Sequence, residues 1–204
     1  MPATFELIGG HPALDFVNTV DWRNDPVRCR ELLVTFDDLL AWAKAAKLLA
    51  TADVGAMSQA AQRNQARAMR SLRRARRLRE VLARVLAPGR DIRPAAPDLR
   101  LLNAFLAVAM RHRQVELRGR AFVWSWADRT PETFDSLLWP IVLAAAELLA
   151  SDSRTHIQEC SGEGCGWLFL DTSRNRRRRW CTMQGCGNRA KARRFYERTR
   201  EARR

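Results

Sequence analysis

The sequence predicts a mainly α-helical protein with a small β component, an α+β chain with a larger helical N-terminal part and a small cysteine-containing module at the C-terminal end. Three observations predict this class. Apolar residues recur at helical spacing over most of residues 12–150, one short stretch alternates apolar and polar residues around a turn, and four of the five cysteines lie within residues 160–186. With 204 residues, of which 47% are hydrophobic, the chain can bury a substantial core.

The helical part contains six stretches with helix signals, at residues 12–20, 36–49, from Thr51 onward, 64–87, 98–112 and 135–150. Pro12 suits the first turn of the first stretch, and Thr35 is a favourable N-cap for the second. The prolines within residues 88–97 predict a loop. Pro140 requires that the last helix either begins late or is kinked.

A β-hairpin is predicted between the fifth and sixth helices. Val115 and Leu117 alternate before a turn at 118–120, and Phe122, Trp124 and Trp126 alternate after it. All five side chains would share one face, so the hairpin would be apolar on one side.

Charge predicts a polyanionic partner, either nucleic acid or an anionic membrane surface. The chain carries 36 Lys and Arg against 22 Asp and Glu, a net charge of +14. Residues 160–204 alone contain thirteen Lys and Arg against four Asp and Glu, a net charge of +9. The longest apolar run, 137–150, is too short for a bilayer span, and no signal peptide is visible, so we expect a cytoplasmic protein without a membrane partner.

The cysteine spacing predicts one structural zinc ion. The pattern is Cys-x4-Cys, fifteen residues, then Cys-x4-Cys, with Cys160, Cys165, Cys181 and Cys186 as the ligands. Free buried cysteines and disulfides are the alternatives, but clustered cysteines of cytosolic proteins more often bind metal. The gaps match neither common ferredoxin pattern. Four thiolates close the coordination shell, which excludes a catalytic role for the zinc.

The residues between and after the cysteines predict a treble-clef-like zinc finger. Residues 167–171 are expected to form a strand, 172–175 a turn and 176–180 a return strand, and a helix follows Cys186 to about Arg200. Phe195 and Tyr196 are expected to pack on the zinc core or on the N-terminal domain. Cys29, outside the cluster, is expected to be a small buried residue.

Basic residues of this module are the predicted nucleic-acid contacts. On the last helix, Arg189 and Arg193 fall on one flank of a face, and Lys191, Arg194 and Arg198 on the other. A second strip lies on the predicted hairpin. The full predicted set is Arg174, Arg176, Arg178, Arg179, Arg189, Lys191, Arg193, Arg194 and Arg198. The alternative is a solvated surface, which is also how we interpret the arginines of residues 63–84.

In the N-terminal part, polar residues of the first helix are candidates for a ligand pocket. Asp15, Asn18 and Thr19 share one helix face, and Trp22 follows closely. They could bind a small-molecule effector, but we favour the alternative that they hold neighbouring backbone in place. The three histidines lie far apart and no catalytic motif occurs, so we do not expect an enzyme.

Two segments resemble a known family. The run from Cys165 to Cys181, followed by Cys186-Gly-Asn-Arg189, resembles the CGNR zinc finger. Leu14-Asp-Phe-Val-Asn-Thr19 resembles the opening of the ABATE domain, which precedes this finger in bacterial stress-induced transcription regulators. The resemblance implies an ABATE-like regulatory domain over residues 1–154 and a finger over 155–204. It also implies zinc ligation by the four cysteines and DNA contacts at Arg189, Lys191 and Arg193.

Together these features predict a transcription regulator of the stress-response type that binds double-stranded DNA through its zinc finger. The alternative is a zinc-stabilised protein-interaction or RNA-binding module in which the basic tail is generic.

Overall fold

The computed structural model describes residues 5–88 and 95–201. Its α-helices are α1 (Pro12–Val17), α2 (Phe36–Ala45), α3 (Thr51–Arg63), α4 (Gln65–Val85), α5 (Ala96–Arg111), α6 (Leu138–Leu149) and α7 (Asn188–Glu201). Its strands are β1 (Val20–Asp21), β2 (Arg30–Glu31), β3 (Arg113–Arg118), β4 (Ala121–Trp126), β5 (Ile157–Glu159) and β6 (Leu168–Leu170). The strands pair as three antiparallel two-stranded sheets, β1–β2, β3–β4 and β5–β6. The predicted mainly helical class with a small β component is confirmed.

The main core is built around α1, which contacts α4, α6 and β6. Leu14, Phe16 and Val17 of α1 are buried, and the Phe16 ring packs at 5.0 Å on the Trp42 ring of α2. Two residues beyond the helical part, Ile157 of β5 and Leu168 of β6, belong to the same core. The cysteine module therefore shares apolar packing with the N-terminal part of the chain.

Most predicted helices are present, and their ends have local causes. Thr35 caps α2 in a capping box: its hydroxyl accepts from the Asp38 N–H, and the Asp38 carboxylate accepts from the Thr35 N–H. The first helix ends at Val17, earlier than predicted, because the chain then enters β1. The fifth begins at Ala96 with Pro97 in its first turn, and α6 begins late, at Leu138, with Pro140 also in the first turn. In the predicted 88–97 loop, residues 89–94 lie outside the described residues.

The β3–β4 hairpin is confirmed, with Val115 opposite Trp124 and Leu117 opposite Phe122. Gly119 has a φ of +63° in its turn. Its apolar face lies largely in solvent, since Phe122 and Trp124 are 78% and 64% exposed.

One arginine of α4 is buried, although the sequence predicted that the arginines of this helix lie on a solvated face. Arg79 is only 3% exposed, and its guanidinium donates to both carboxylate oxygens of Glu31 at 2.6 Å and to Glu80 at 2.9 Å. Burial works to lower the pKa of Arg79, but Glu31 and then Glu80 outweigh it and raise the pKa. The prediction was wrong at Arg79, because this position faces α1 and the β1–β2 ribbon.

The predicted return strand at 176–180 is wrong. β6 pairs instead with β5, on the other side of the first cysteine pair, and 172–180 forms an irregular loop. Asp171 closes this loop, because its carboxylate accepts hydrogen bonds from the N–H and hydroxyl of Ser173 and from the N–H of Arg178. The treble-clef assignment itself stays a prediction. Over the described ranges, no helix combines the length and the apolar character that a membrane span requires.

Candidate metal centre and nucleic-acid interface

The four clustered cysteines converge on one point. Cys160 follows β5, Cys165 ends the next turn, Cys181 follows the 172–180 loop, and Cys186 lies in a single π-helical turn, Met183–Gly187, before α7. All four are buried, and their Sγ atoms lie within 4.8 Å of one another. The Cys165–Cys181 and Cys181–Cys186 sulfur pairs are 3.8 and 3.5 Å apart. In a tetrahedral zinc tetrathiolate with Zn–S distances of about 2.3 Å, sulfurs are about 3.8 Å apart. These separations fit metal ligation and are too long for a disulfide.

Charge in this cluster also fits a divalent cation. Hydrogen bonds from Cys165 and Cys181 lower the pKa of Cys160 to about 2. The pKa of Cys165 and that of Cys181 are raised, chiefly by their hydrogen bonds with Cys160 and by burial. A divalent cation at the centre of the cluster would stabilise the thiolate form that metal ligation requires. With the closed four-sulfur donor set, this assigns one structural zinc ion to the protein.

Gly162 permits the close approach of the two cysteine pairs. A Cβ at this position would lie 2.7 Å from the Cys186 Sγ and 3.3 Å from the Cys160 Sγ. Backbone N–H groups also support the cluster, because those of Gly162 and Cys181 donate to the Cys160 Sγ at 3.4 and 3.2 Å. The turn therefore both makes room for the sulfurs and stabilises negative charge on them.

Arg189, a predicted DNA contact, supports the metal centre instead of projecting freely from it. Its guanidinium donates to the Cys186 Sγ at 2.9 Å and lies 4.7 Å from the Trp22 ring centroid. Trp22, a predicted pocket residue, has a φ of +52° and also carries Arg28 over its ring at 3.8 Å. The pair Trp22 and Arg189 connects the cysteine cluster with the segment after α1.

The other predicted pocket residues form internal hydrogen bonds. Asn18 is buried, and its side-chain amide both donates to the Leu168 carbonyl and accepts from the Leu168 N–H, each at 2.8 Å. Thr19 donates to the Phe16 carbonyl, and the Asp15 carboxylate accepts from the Gly9 N–H. Burial raises the pKa of Asp15, and the Gly9 hydrogen bond offsets part of that shift. These three residues line a cavity of about 70 Å³, and their side chains bond to neighbouring backbone; ligand binding there stays a prediction.

Backbone hydrogen bonds fix the first cysteine pair to the N-terminal part. The N–H groups of Arg23 and Asn24 donate to the carbonyls of Cys165 and Gly164, at 3.0 and 3.2 Å. The Trp167 indole N–H donates to the Val20 carbonyl at 3.0 Å. Sequence reasoning missed these contacts, because nothing in the local pattern around Trp167 or Arg23 identifies a partner more than 100 residues away.

Two more of the predicted DNA contacts are engaged within the chain. The Arg178 guanidinium donates to the carbonyls of Ile8, Trp180 and Cys181 and lies 4.2 Å from the Phe169 ring centroid. Arg193 forms ion pairs with Glu163 and, at 3.7 Å, with Glu197. Arg178 is therefore a structural residue of the loop, and Arg193 is largely compensated.

The remaining predicted contacts are exposed. Arg174, Arg176 and Arg179 lie on the 172–180 loop, and Lys191, Arg194 and Arg198 lie along one flank of α7. Those three α7 residues have no acidic partner among the described residues; the Arg198 guanidinium donates only to the Arg194 carbonyl, at 3.3 Å. We call Lys191, Arg194 and Arg198 the basic stripe.

No described residue of α7 is buried, and this corrects the expectation for its aromatic residues. Phe195 and Tyr196 are 60% and 72% exposed and contact each other edge to face at 5.9 Å. They do not pack on the zinc core, because the Arg189 and Arg193 flank of α7 faces the cysteine module instead. Cys29, expected to be buried, is exposed and lies apart from the cysteine cluster.

Comparisons with known proteins match both parts of the chain. The model of the ABATE family, described as "Putative stress-induced transcription regulator", matches residues 10–152, and the model of the CGNR zinc finger matches residues 156–199. No curated protein matches the sequence. The two matches confirm the resemblance that the sequence motifs indicated.

Proposed function

Because the chain belongs to the ABATE family and carries a CGNR zinc finger, we propose that it is a DNA-binding transcription regulator of the stress-response type. In this proposal residues 155–204 contact double-stranded DNA and residues 1–154 form the regulatory domain. The zinc ion has a structural role, and the protein is not an enzyme.

The observation that carries the proposal is the basic stripe. Lys191, Arg194 and Arg198 are spaced i, i+3 and i+7, so they follow one side of an exposed helix without acidic partners in the described structure. Uncompensated arginines on an exposed helix fit phosphate oxygens and guanine edges, which accept two parallel hydrogen bonds from a guanidinium. A solvated surface would more often interleave the two signs of charge.

The dimensions of α7 suit a DNA groove. Its 14 residues span about 21 Å, and the major groove of B-DNA is about 12 Å wide and admits one α-helix. In the proposed complex the basic stripe lies towards one phosphate row. Arg174, Arg176 and Arg179 on the 172–180 loop supply a second set of phosphate contacts, since they are exposed.

A second candidate is single-stranded RNA binding, favoured by one observation. Phe195 and Tyr196 are exposed next to basic residues, and exposed aromatic rings are the usual stacking surfaces for unpaired bases. The DNA candidate predicts tighter binding to duplex DNA and a larger loss of affinity when the basic stripe is changed. The RNA candidate predicts tighter binding to single-stranded RNA and a larger loss when the aromatic rings are removed.

The test is fluorescence anisotropy with the full zinc-loaded chain, duplex DNA, and single-stranded RNA of the same length. We expect tighter duplex binding, and we expect Arg194→Gln to weaken it by about tenfold at low salt. Arg193→Gln is the matched control: it removes the same charge from the adjacent, ion-paired position and should weaken binding less than about threefold. Equal losses from the two variants would contradict the stripe, and a preference for the single strand that Tyr196→Ala abolishes would favour the second candidate.

A further inference from the structure

A cavity of about 350 Å³ lies in the N-terminal domain, away from the cysteine module. It is bounded by α4, by the C-terminal end of α5, and by the segment from Thr133 to Trp139. Its floor includes Ser71, Phe134 and Trp139, which are buried, and its rim carries Arg67, Arg70 and Arg74 on one face of α4. The volume is within the range of small-ligand sites.

Four residues around this cavity, Ser71, His112, Asp135 and Trp139, each carry a buried polar atom without a hydrogen-bond partner among the described residues. Ser71 and Trp139 are each only 3% exposed, and neither the Ser71 hydroxyl nor the Trp139 indole N–H bonds to any group of the described residues. A serine in the middle of a helix commonly donates to the carbonyl four residues earlier, and Ser71 does not. Buried polar groups of native proteins are rarely left unpaired, so four around one cavity indicate a polar occupant.

The rim adds positive charge to these donors. Arg67 and Arg70 form no ion pair with a described residue, and Arg74 has only the Asp135 carboxylate, at 3.4 Å. The second Asp135 oxygen is buried and unpartnered. Three arginines against one carboxylate favour an anionic occupant, and the free Asp135 oxygen can accept a hydrogen bond from it.

Three planar side chains, together with Val108 and Thr133, complete the lining. The His112 ring stacks on the Trp139 ring with centroids 4.1 Å apart and an angle of 8°, and Phe134 is 2% exposed. Arg67 lies 5.9 Å from the Phe134 centroid. This surface suits a flat apolar body, and a bare phosphate ion would leave most of it uncovered.

We propose that this cavity binds a small aromatic carboxylate. Its carboxylate would lie among Arg67, Arg70 and Arg74, and its ring against Phe134 and Trp139. The Ser71 hydroxyl and the Trp139 indole N–H would donate to its oxygens. Binding of the carboxylate does not depend on the proposed DNA contact. Only the interpretation of this cavity as an effector site rests on the proposed function.

The test compares 2-naphthoate with 2-naphthamide on the full zinc-loaded chain by isothermal titration calorimetry, without DNA. The two probes share one ring system and differ in charge, so we expect the amide to bind at least about tenfold more weakly. Arg70→Gln should weaken naphthoate binding at least about fivefold. Arg73→Gln, on the exposed side of the same helix and outside the cavity, should leave it unchanged within about twofold.

A spectroscopic readout locates the site. In ¹⁵N-labelled protein, naphthoate should shift the Trp139 indole resonance, which Trp139→Phe assigns by its disappearance. If Trp139→Phe does not fold, Ser71→Ala should still lower naphthoate affinity, because it removes one donor at little cost in volume.

Three results would overturn the proposal: no naphthoate binding at millimolar concentration, equal affinity for both probes, or shifts confined to other indoles. Failure here and failure of the regulator proposal are distinguishable, since the calorimetry contains no DNA. If naphthoate does not bind and Arg70→Gln weakens duplex binding, the rim is a phosphate contact and not a ligand site.

Discussion

Helices α4 and α7 are both rich in arginine, yet they use it in opposite ways. In α4, leucines at positions 72, 78 and 82 place one face in the core, and Arg79 on that face pairs with Glu31 and Glu80. In α7 no described residue is buried, and the basic stripe lacks acidic partners among the described residues. Arginine therefore stabilises the fold at position 79 of α4 and remains available for a partner in the basic stripe of α7. An arginine becomes buried and paired where apolar residues on the same helix face pack into the core and where glutamates or aspartates lie within reach.

The largest expected effect comes from loss of the zinc ion, which should destabilise α7 and leave α4 intact. Cys181→Ser should abolish stoichiometric zinc, because three thiolates rarely hold a structural site and metal binding supplies about 10 kcal/mol or more to such a module. Hydrogen exchange should then increase across Thr172–Glu201, while α4 stays protected in its own core. Cys29→Ser is the control, since Cys29 is exposed and outside the cluster, and it should retain one zinc per chain by elemental analysis. Full zinc content in the Cys181 variant would refute the ligand assignment.

The next effect concerns the arginine that α4 buries. Arg79→Met should lower the free energy of unfolding by about 3 kcal/mol, because it removes the buried guanidinium that Glu31 and Glu80 share and leaves them only Arg76 and Arg23. The value is at the low end for a broken buried pair, since both glutamates are partly exposed. Arg77→Met, on the exposed side of α4, should change it by about 0.5 kcal/mol or less. Urea unfolding of both variants provides the measurement. Equal destabilisation would show that the buried ion pairs of Arg79 add no stability beyond that of an exposed arginine.

A smaller effect tests whether β6 of the cysteine module is held on the core that contains α1 and α4. Asn18→Ala removes both hydrogen bonds to Leu168 and leaves a buried N–H and carbonyl unpaired, so we expect about 2 kcal/mol of destabilisation. Hydrogen exchange at the Leu168 amide should increase in the same variant. Asn24→Ala is the comparison, because its side-chain bond to Glu159 is exposed and should contribute little. An unchanged Leu168 amide would mean that Asn18 does not fix β6.

Sequence alone could predict the features that depend on nearby residues. Thr35 and Asp38 define the start of α2 within four positions, the alternation around Gly119 defines the β3–β4 hairpin, and the paired spacing defines the zinc ligands. Features that depend on residues far apart in the sequence could not be predicted from it. Asn18 meets Leu168 across 150 residues of chain, and Arg79 meets Glu31 across 48.

The predicted return strand failed for a related reason. Arginines at 176–179 give no pattern that tells a strand from a loop, and the loop is closed by the buried Asp171 carboxylate and by Arg178. The cavity beside Ser71 and Trp139 was equally hidden, because its walls come from α4, α5 and the segment before α6. The sequence instead indicated the polar residues of α1, which the fold uses internally.

The salt dependence of duplex binding, measured on two matched double variants of the full zinc-loaded chain, distinguishes the basic stripe of α7 from the exposed arginines of α4. Arg194→Gln/Arg198→Gln removes two charges from the basic stripe, and Arg73→Gln/Arg77→Gln removes two from the exposed side of α4. If about five phosphates are neutralised, the log affinity of the unmodified protein should fall with log salt with a slope of about −4 to −5. We expect that the α7 variant loses about two units of that slope and that the α4 variant keeps it. Equal slopes in both variants, or no duplex binding by the unmodified protein at low salt, would contradict this expectation.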